Sequence, residues 1–190
     1  ENIKKSGIIQ QKEKKEKFEI NNYFKVTNGD NNSQIEFFPQ KNLEIEVTTD
    51  YKSSVISKQK AKLNQLSDFQ KEIAPARTFC FLHELDQLMN HNLIKGGDLD
   101  NGIVFVEKNT SVESLGKLKK LLPKTVRILK KGTLRNVQPL CKNEQAKHKL
   151  LDLIGDISLA GFEIKGKIIA HKPGHKINAL FTQELLKQIN

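Results

Sequence analysis

Two short segments of the chain alternate polar and apolar residues, as half-buried antiparallel strands do. They lie at residues 34–39 and 43–49. Because successive side chains of a strand point to opposite faces, each segment offers one apolar face to a core. Further strands are predicted at about 17–27 and 103–106, around Leu134, and at 164–171, while residues 62–73 have a weakly helical pattern.

Segments with helical periodicity lie between these strands, at about 82–91, 111–122, 144–159 and 175–189. Asn143 is predicted to cap the third of them, and Gly161 to end it. Since strands and helices are intermixed without a regular βαβ repeat, the predicted fold is α+β, a layered sheet-and-helix sandwich. The polar residues 1–17 have no apolar face and are interpreted as a linker or tail, which leaves 18–190 as one domain.

The chain is basic, with 32 Lys and Arg against 22 Asp and Glu and a net charge of +10 over 190 residues. Such a surface can attract nucleic acid, anionic lipid or a phosphorylated small molecule. The lysines are scattered and there are only three arginines, which argues against a face dedicated to nucleic acid. A non-catalytic basic binding module or a scaffold is nevertheless an alternative hypothesis that the charge supports.

Apolar stretches and cysteines bear on where the protein works. No apolar stretch is long enough to cross a bilayer, so no transmembrane segment is predicted. Cys80 and Cys141 are far apart in sequence and form no metal-type pair. They fit a reducing cytoplasm, and a cytoplasmic location is expected.

The predicted helix at 144–159 carries His148, Asp152 and Asp156, each four residues after the last. This spacing places them in one stripe, opposite the apolar residues Leu150, Leu153, Ile154 and Ile157. A His and an Asp one turn apart can offer a nitrogen and an oxygen to one zinc ion. The same spacing occurs in surface charge pairs, and a catalytic zinc normally takes a third protein ligand.

A second cluster, Lys172-Pro173-Gly174-His175, lies between a predicted strand and the last helix. A histidine at such a junction can project into a cleft, although one that only caps the helix or faces solvent would fit the same pattern. If Asp156 lay beside it, the carboxylate would favour the charged imidazolium, which is suited to act as a general acid.

Three segments taken together resemble one enzyme family: Ala76-Arg77-Thr78-Phe79, residues 148–156, and Lys172-Pro173-Gly174-His175. In this order they resemble the second domain of UDP-3-O-acyl-N-acetylglucosamine deacetylase, a zinc-dependent enzyme of bacterial lipid A synthesis. Residues 96–104 also match that pattern. The resemblance covers nearly the whole chain from Lys17 onward, and it implies an active site between two domains of similar fold.

The resemblance also implies roles for individual residues. His148 and Asp152 would be zinc ligands, and Asp156 would orient His175 as the charged general acid or electrostatic stabiliser. The Thr78 hydroxyl would help to hold the oxyanion of the tetrahedral intermediate.

Substrate contacts are implied as well, with Phe79 and Lys149 matching substrate-contacting positions and the lysine near the diphosphate. A βαβ-like insert at about 80–106 would line the fatty acyl chain through its apolar residues Phe81, Leu82, Leu85, Leu88 and Leu93. An ordinary amphipathic helix packed on a sheet would show the same apolar residues.

The sequence departs from the family pattern in one respect that matters for activity. The third zinc ligand and the glutamate base of the family lie in a Glu-His pair of the first domain, and this chain has none; His83-Glu84 runs in reverse order. We therefore expect the chain to supply half of a site for UDP-linked acylated N-acetylglucosamine, to need the missing first domain as its partner, and to be inactive alone. Residues 107–141 resemble the version fused to a 3-hydroxyacyl-carrier-protein dehydratase.

Overall fold

The computed structural model describes residues 5–13, 18–29, 32–91, 101–107, 110, 111, 113, 116, 132 and 140–188. Its main sheet contains β1 (Phe24–Asn28), β2 (Ser33–Phe38), β3 (Leu43–Thr49), β4 (Gln59–Leu63) and β7 (Gly166–His171). The strand order is β1-β2-β7-β3-β4. β3 runs parallel to β7, and the other neighbours are antiparallel.

Two helices pack on the apolar face of this sheet, α3 (Glu144–Ser158) and α4 (His175–Lys187). Of the four residues of α3 that were predicted to face inward, Leu150, Leu153 and Ile157 are buried against the sheet, and Ile154 is partly buried against the same core. Their burial turns the stripe of polar residues on α3 away from the core, toward the surface where a site can form. The predicted α+β sandwich is confirmed.

A smaller unit comes after β4 in the chain and contacts α3. It consists of β5 (Thr78–Phe81), α2 (Leu82–Asn90) and β6 (Gly102–Phe105), and β5 and β6 are parallel neighbours. This is the βαβ arrangement expected for the insert. It encloses its own apolar cluster, whose buried members are Ile56, Phe81, Leu82, Ile103, Val104, Phe105 and Val106.

The weakly helical pattern at residues 62–73 is confirmed for Leu66–Glu72 and wrong for the residues before them. The first of these residues belong to β4, and only a 3₁₀ turn (Leu66–Asp68) and the single-turn helix α1 (Phe69–Glu72) follow. β4 pairs with β3 and buries Ala61 and Leu63, so the pairing of strands overrides a weak local helical preference.

The predicted and observed bounds of some strands and helices also differ. The first strand covers Phe24–Asn28 rather than 17–27. Asn143 precedes α3 but makes no capping bond, because its φ of 57° is left-handed and its side-chain amide donates to the Lys60 carbonyl at 3.0 Å. Most of the helix predicted at 111–122 and the strand around Leu134 lie outside the described residues. Within the part of the chain that the structure describes, no helix has the length and apolar character needed to cross a bilayer.

Candidate active site

The polar stripe of α3 begins with His148, whose ring is hydrogen-bonded to the chain segment that enters β5. Its Nδ1–H donates to the main-chain oxygen of Ala76 at 3.2 Å. Burial lowers the pKa of His148 and outweighs the opposing effects of Asp152 and of the Ala76 carbonyl. The imidazole is therefore neutral near pH 7, and its Nε2 lone pair is free to bind a cation.

Asp152 lies one turn further along and faces that free nitrogen. The distance from His148 Nε2 to Asp152 Oδ1 is 3.5 Å, with only 13% and 11% of the two side chains exposed. Two lone pairs that face each other repel unless a proton or cation lies between them. Neighbouring ligand atoms of a tetrahedral zinc ion are about 3.4 Å apart, so this pair fits zinc.

The surroundings of the pair also fit a metal site. A ligating histidine commonly donates its other ring N–H to a carbonyl or carboxylate, and the Ala76 carbonyl has that position here. Among the described residues, no group of three or more His, Cys, Asp or Glu side chains could hold a metal ion. The arrangement therefore offers two ligands, and a complete site needs more.

Lys149 and Phe79 lie against this pair. Lys149 Nζ donates to Asp152 Oδ2 at 2.9 Å and lies 5.7 Å from the centre of the Phe79 ring. Phe79 also meets the His148 ring edge-on. Thr78 is exposed at the first position of β5, directly before Phe79. The structure thus brings together four of the residues that the sequence singled out, and Thr78 is the chain neighbour of one of them.

Asp156 and His175 form a second pair on the same stripe. His175 is the first residue of α4, and its Nδ1–H donates to Asp156 Oδ2 at 2.9 Å. The side-chain amide of Asn178 donates to the same oxygen at 2.8 Å. The His175 side chain is 72% exposed, so it is open to a substrate or to another part of a protein.

A cleft of about 740 Å³ lies beside His175. It is lined by Asn28, Asn32, Ser33, Asp50, Tyr51, Lys52, Lys172, Pro173, Gly174, His175, Lys176 and Ile177. Three lysines and a histidine against one aspartate make this cleft basic. The sequence indicated a basic chain but did not show where the charge converges, because Lys52 and Lys172 come from two separate loops and Lys176 from the first turn of α4.

Tyr51 connects the cleft to the βαβ insert and was not found from the sequence. Its ring packs edge-on against Phe79 and Phe81, with centroid distances of 5.5 and 5.8 Å. Burial, and secondarily the carboxylates of Asp152 and Glu84, raises the pKa of Tyr51, which keeps the phenol protonated.

The insert residues predicted to line an acyl chain differ in accessibility. Phe81 and Leu82 are buried in the insert's own cluster, with 7% and 5% of their surface exposed, and Leu85 is half-buried at its edge. Leu85 and Phe79 therefore carry more accessible apolar surface than the two interior residues. The side chain of Leu88 and the whole of Leu93 lie outside the described residues.

A buried ion pair fixes the segment that holds His148. Arg77 donates to Glu144 from its backbone N–H and its Nε at 3.1 and 2.9 Å, and from Nη2 at 3.2 Å, and Glu144 is only 1% exposed. Ala76, whose carbonyl accepts from His148, is the preceding residue. The two contacts bind the entry to β5 against the first turns of α3, an arrangement that no local sequence pattern predicts.

Comparisons with known proteins agree with this geometry. A sequence model described as UDP-3-O-acyl N-acetylglycosamine deacetylase matches residues 1–119 and 116–187. The chain belongs to this family. Relatives include two proteins named bifunctional LpxC/FabZ enzymes, from Porphyromonas gingivalis (36% identity) and Bacteroides thetaiotaomicron (38%), each aligned over 98% of this chain and 41% of its own length.

A further relative of this deacetylase family, from Syntrophus aciditrophicus, is named UDP-3-O-acyl-N-acetylglucosamine deacetylase. It is 33% identical over 98% of this chain and 51% of its own length. The chain thus spans about half the length of these curated relatives.

Proposed function

We propose that this chain supplies half of the active site of a zinc-dependent deacetylase that removes acetate from UDP-3-O-acyl-N-acetylglucosamine in lipid A synthesis. The observation that carries the proposal is the stripe of α3, where the His148–Asp152 pair lies one turn before Asp156, the partner of His175. Family membership supports the same reaction. The two unpaired cysteines agree with work in a reducing cytoplasm.

His148 and Asp152 would hold the zinc ion on this side of the site. Bound zinc supplies Lewis acidity toward the acetamide carbonyl and lowers the pKa of a water molecule. The neutral state of His148 leaves Nε2 available, and the Ala76 carbonyl fixes the tautomer that this requires. Lys149 holds the second carboxylate oxygen of Asp152, which leaves Oδ1 directed at the histidine.

Proton transfer and charge stabilisation are assigned to residues around this pair. His175, held at Nδ1 by Asp156, would present its other ring nitrogen to the reacting group and deliver a proton to the leaving amine. Thr78 is exposed at the start of β5 and would donate its hydroxyl to the oxygen that gains charge.

Substrate recognition would use the two regions that adjoin the site. The basic cleft offers Lys52, Lys172 and Lys176 to the diphosphate of the nucleotide. The half-buried edge of the insert, at Phe79 and Leu85, offers apolar surface to the acyl chain. Tyr51 lies between the two regions, so one molecule with an anionic and an apolar end could touch both.

The remaining ligand and the general base would come from the other half of the family's fold. The proposal predicts that this chain alone does not release acetate from UDP-3-O-acyl-N-acetylglucosamine with zinc, and that addition of a family first domain restores release. His148→Ala or Asp152→Ala should abolish the restored activity.

His91→Ala is the matched control, because this histidine is exposed at the end of α2 and bonds only the Gln87 carbonyl in the structure. It should leave the restored activity unchanged. Full activity of the isolated chain, or of the mixture that carries His148→Ala, would refute the assignment of a half-site.

A further inference from the structure

Asn178 is the most deeply buried polar side chain in contact with the candidate site. It lies on the first turn of α4, three residues after His175, and has 0% of its surface exposed. Its Nδ2 donates to Asp156, whereas its Oδ1 has no hydrogen-bond partner among the described residues. A buried acceptor without a partner costs folding free energy, which an apolar residue of the same shape would avoid.

The orientation of this amide follows from its partner. Turning the amide over would place Oδ1 against Asp156 Oδ2, so that two acceptors would face each other. Only the orientation with Nδ2 toward Asp156 gives a hydrogen bond. The amide thus makes one polar contact at the expense of an unsatisfied oxygen, and that contact is with the carboxylate that holds His175.

Exposure increases in steps from Asn178 to Asp156 and then to His175. The fully buried amide holds Asp156, whose side chain is 24% exposed, and Asp156 holds His175, whose side chain is 72% exposed. An exposed ring has little packing to fix its orientation, so its direction depends on the carboxylate. A carboxylate held by one hydrogen bond can rotate, whereas the second bond from the packed interior fixes it.

We propose that Asn178 is a positioning residue that fixes the Asp156 carboxylate and thereby aims the His175 ring at the substrate. The proposal rests on the function proposed above, in which His175 handles a proton. Asn178 touches neither substrate nor metal in this scheme. Its effect on the reaction passes entirely through Asp156.

The test is Asn178→Leu in the full-length, zinc-loaded protein. Leucine keeps the branched outline of asparagine, with a larger volume, and removes both the donor and the unsatisfied oxygen. We expect kcat to fall about 10- to 100-fold, as for other partners of a site's ligands, with KM little changed. The urea midpoint should stay the same or rise, because the unsatisfied oxygen is gone.

A second readout does not depend on turnover. In its neutral form, His175 should keep its proton on Nδ1 in the unaltered protein, because Asp156 accepts there. Nitrogen NMR of the Asn178→Leu variant should show a larger share of the Nε2–H tautomer. Thr182→Val is the matched control. Thr182 is one turn along α4, and among the described residues its hydroxyl bonds only main-chain oxygens, those of Asn178 at 2.9 Å and Asp156 at 3.4 Å.

The outcomes separate positioning from a structural role. Loss of kcat with a retained midpoint and a shifted tautomer, against normal kcat in Thr182→Val, supports the proposal. Unchanged kcat and tautomer in Asn178→Leu overturns it, as does a loss of activity that accompanies a lowered midpoint and an unchanged tautomer. If the unaltered protein releases no acetate, the proposed function fails, and the tautomer comparison alone then decides for or against Asn178.

Discussion

Replacing Glu144 by alanine would leave the Arg77 guanidinium without its carboxylate partner in a largely buried position. Glu144 is 1% exposed and Arg77 13%, and the carboxylate accepts three hydrogen bonds from Arg77 and one from the Leu140 backbone at 2.9 Å. Removing one member of a buried, hydrogen-bonded pair costs about 3–5 kcal/mol, since the other charge stays in the interior. We expect Glu144→Ala to lower the free energy of unfolding by that amount.

Urea denaturation measures this cost, and a second ion pair provides the matched control. Lys147 and Glu72 are 3.2 Å apart but 19% and 49% exposed, so Glu72→Ala should cost at most about 1 kcal/mol. If Glu144→Ala costs no more than Glu72→Ala, the buried pair does not stabilise the fold, and the reasoning from burial is wrong.

The stability that the pair of Arg77 and Glu144 contributes should depend on pH in a defined direction. Burial alone would raise the pKa of Glu144, but the hydrogen bonds from Arg77 and from the Leu140 amide hold that pKa below its ordinary value. The stability from ionised Glu144 is therefore fully present above the ordinary glutamate pKa. That stability is lost as the pH falls through the lowered pKa of Glu144 in the folded state. The difference in the free energy of unfolding between the unaltered protein and Glu144→Ala should therefore become smaller in that pH range.

Two further predictions concern backbone freedom and thiol reactivity. Gly155→Ala should stabilise α3 by about 1 kcal/mol, because a methyl group there meets no atom, whereas Gly166→Ala should destabilise by about 1–3 kcal/mol, because its φ is 149° and the methyl would overlap the buried Phe37 ring. Thermal unfolding checks both, and equal effects would contradict the local geometry. Burial, and secondarily Glu84, raises the pKa of Cys80 to about 11. At pH 8, iodoacetamide should therefore react with Cys80 far more slowly than it reacts with the thiol of free glutathione. Equal rates, followed by mass spectrometry, would contradict that burial.

The sequence predicted those elements whose periodicity is strong and whose partners lie nearby. The alternation at residues 34–39 and 43–49 matches β2 and β3, and the periodic segment at 144–159 matches α3 closely. β4 was missed because QKAKL has a weak strand signal, and its pairing with β3 decides its conformation. Local patterns identify such a segment only when the pairing partner is known.

The candidate site was likewise predicted only in part from the sequence. The stripe of His148, Asp152 and Asp156 follows from helical spacing, whereas the contact between Asp156 and His175 was implied by the family resemblance. Tyr51 and Asn178 carry no local pattern, because their contacts depend on how the loops and helices pack. The pair of Arg77 and Glu144 is separated by 67 residues, and neither position indicates the other.

Zinc affinity of the full-length protein tests the central claim most directly. Loss of a residue that only hydrogen-bonds a metal ligand weakens metal binding about 10- to 100-fold. Competition with a chromophoric chelator should show that His148→Ala and Asp152→Ala each weaken zinc binding by more than that. His175→Ala should keep zinc affinity close to that of the unaltered protein while deacetylation is lost. Unchanged affinity in both ligand variants would contradict the account, because the pair on α3 would then not hold the metal.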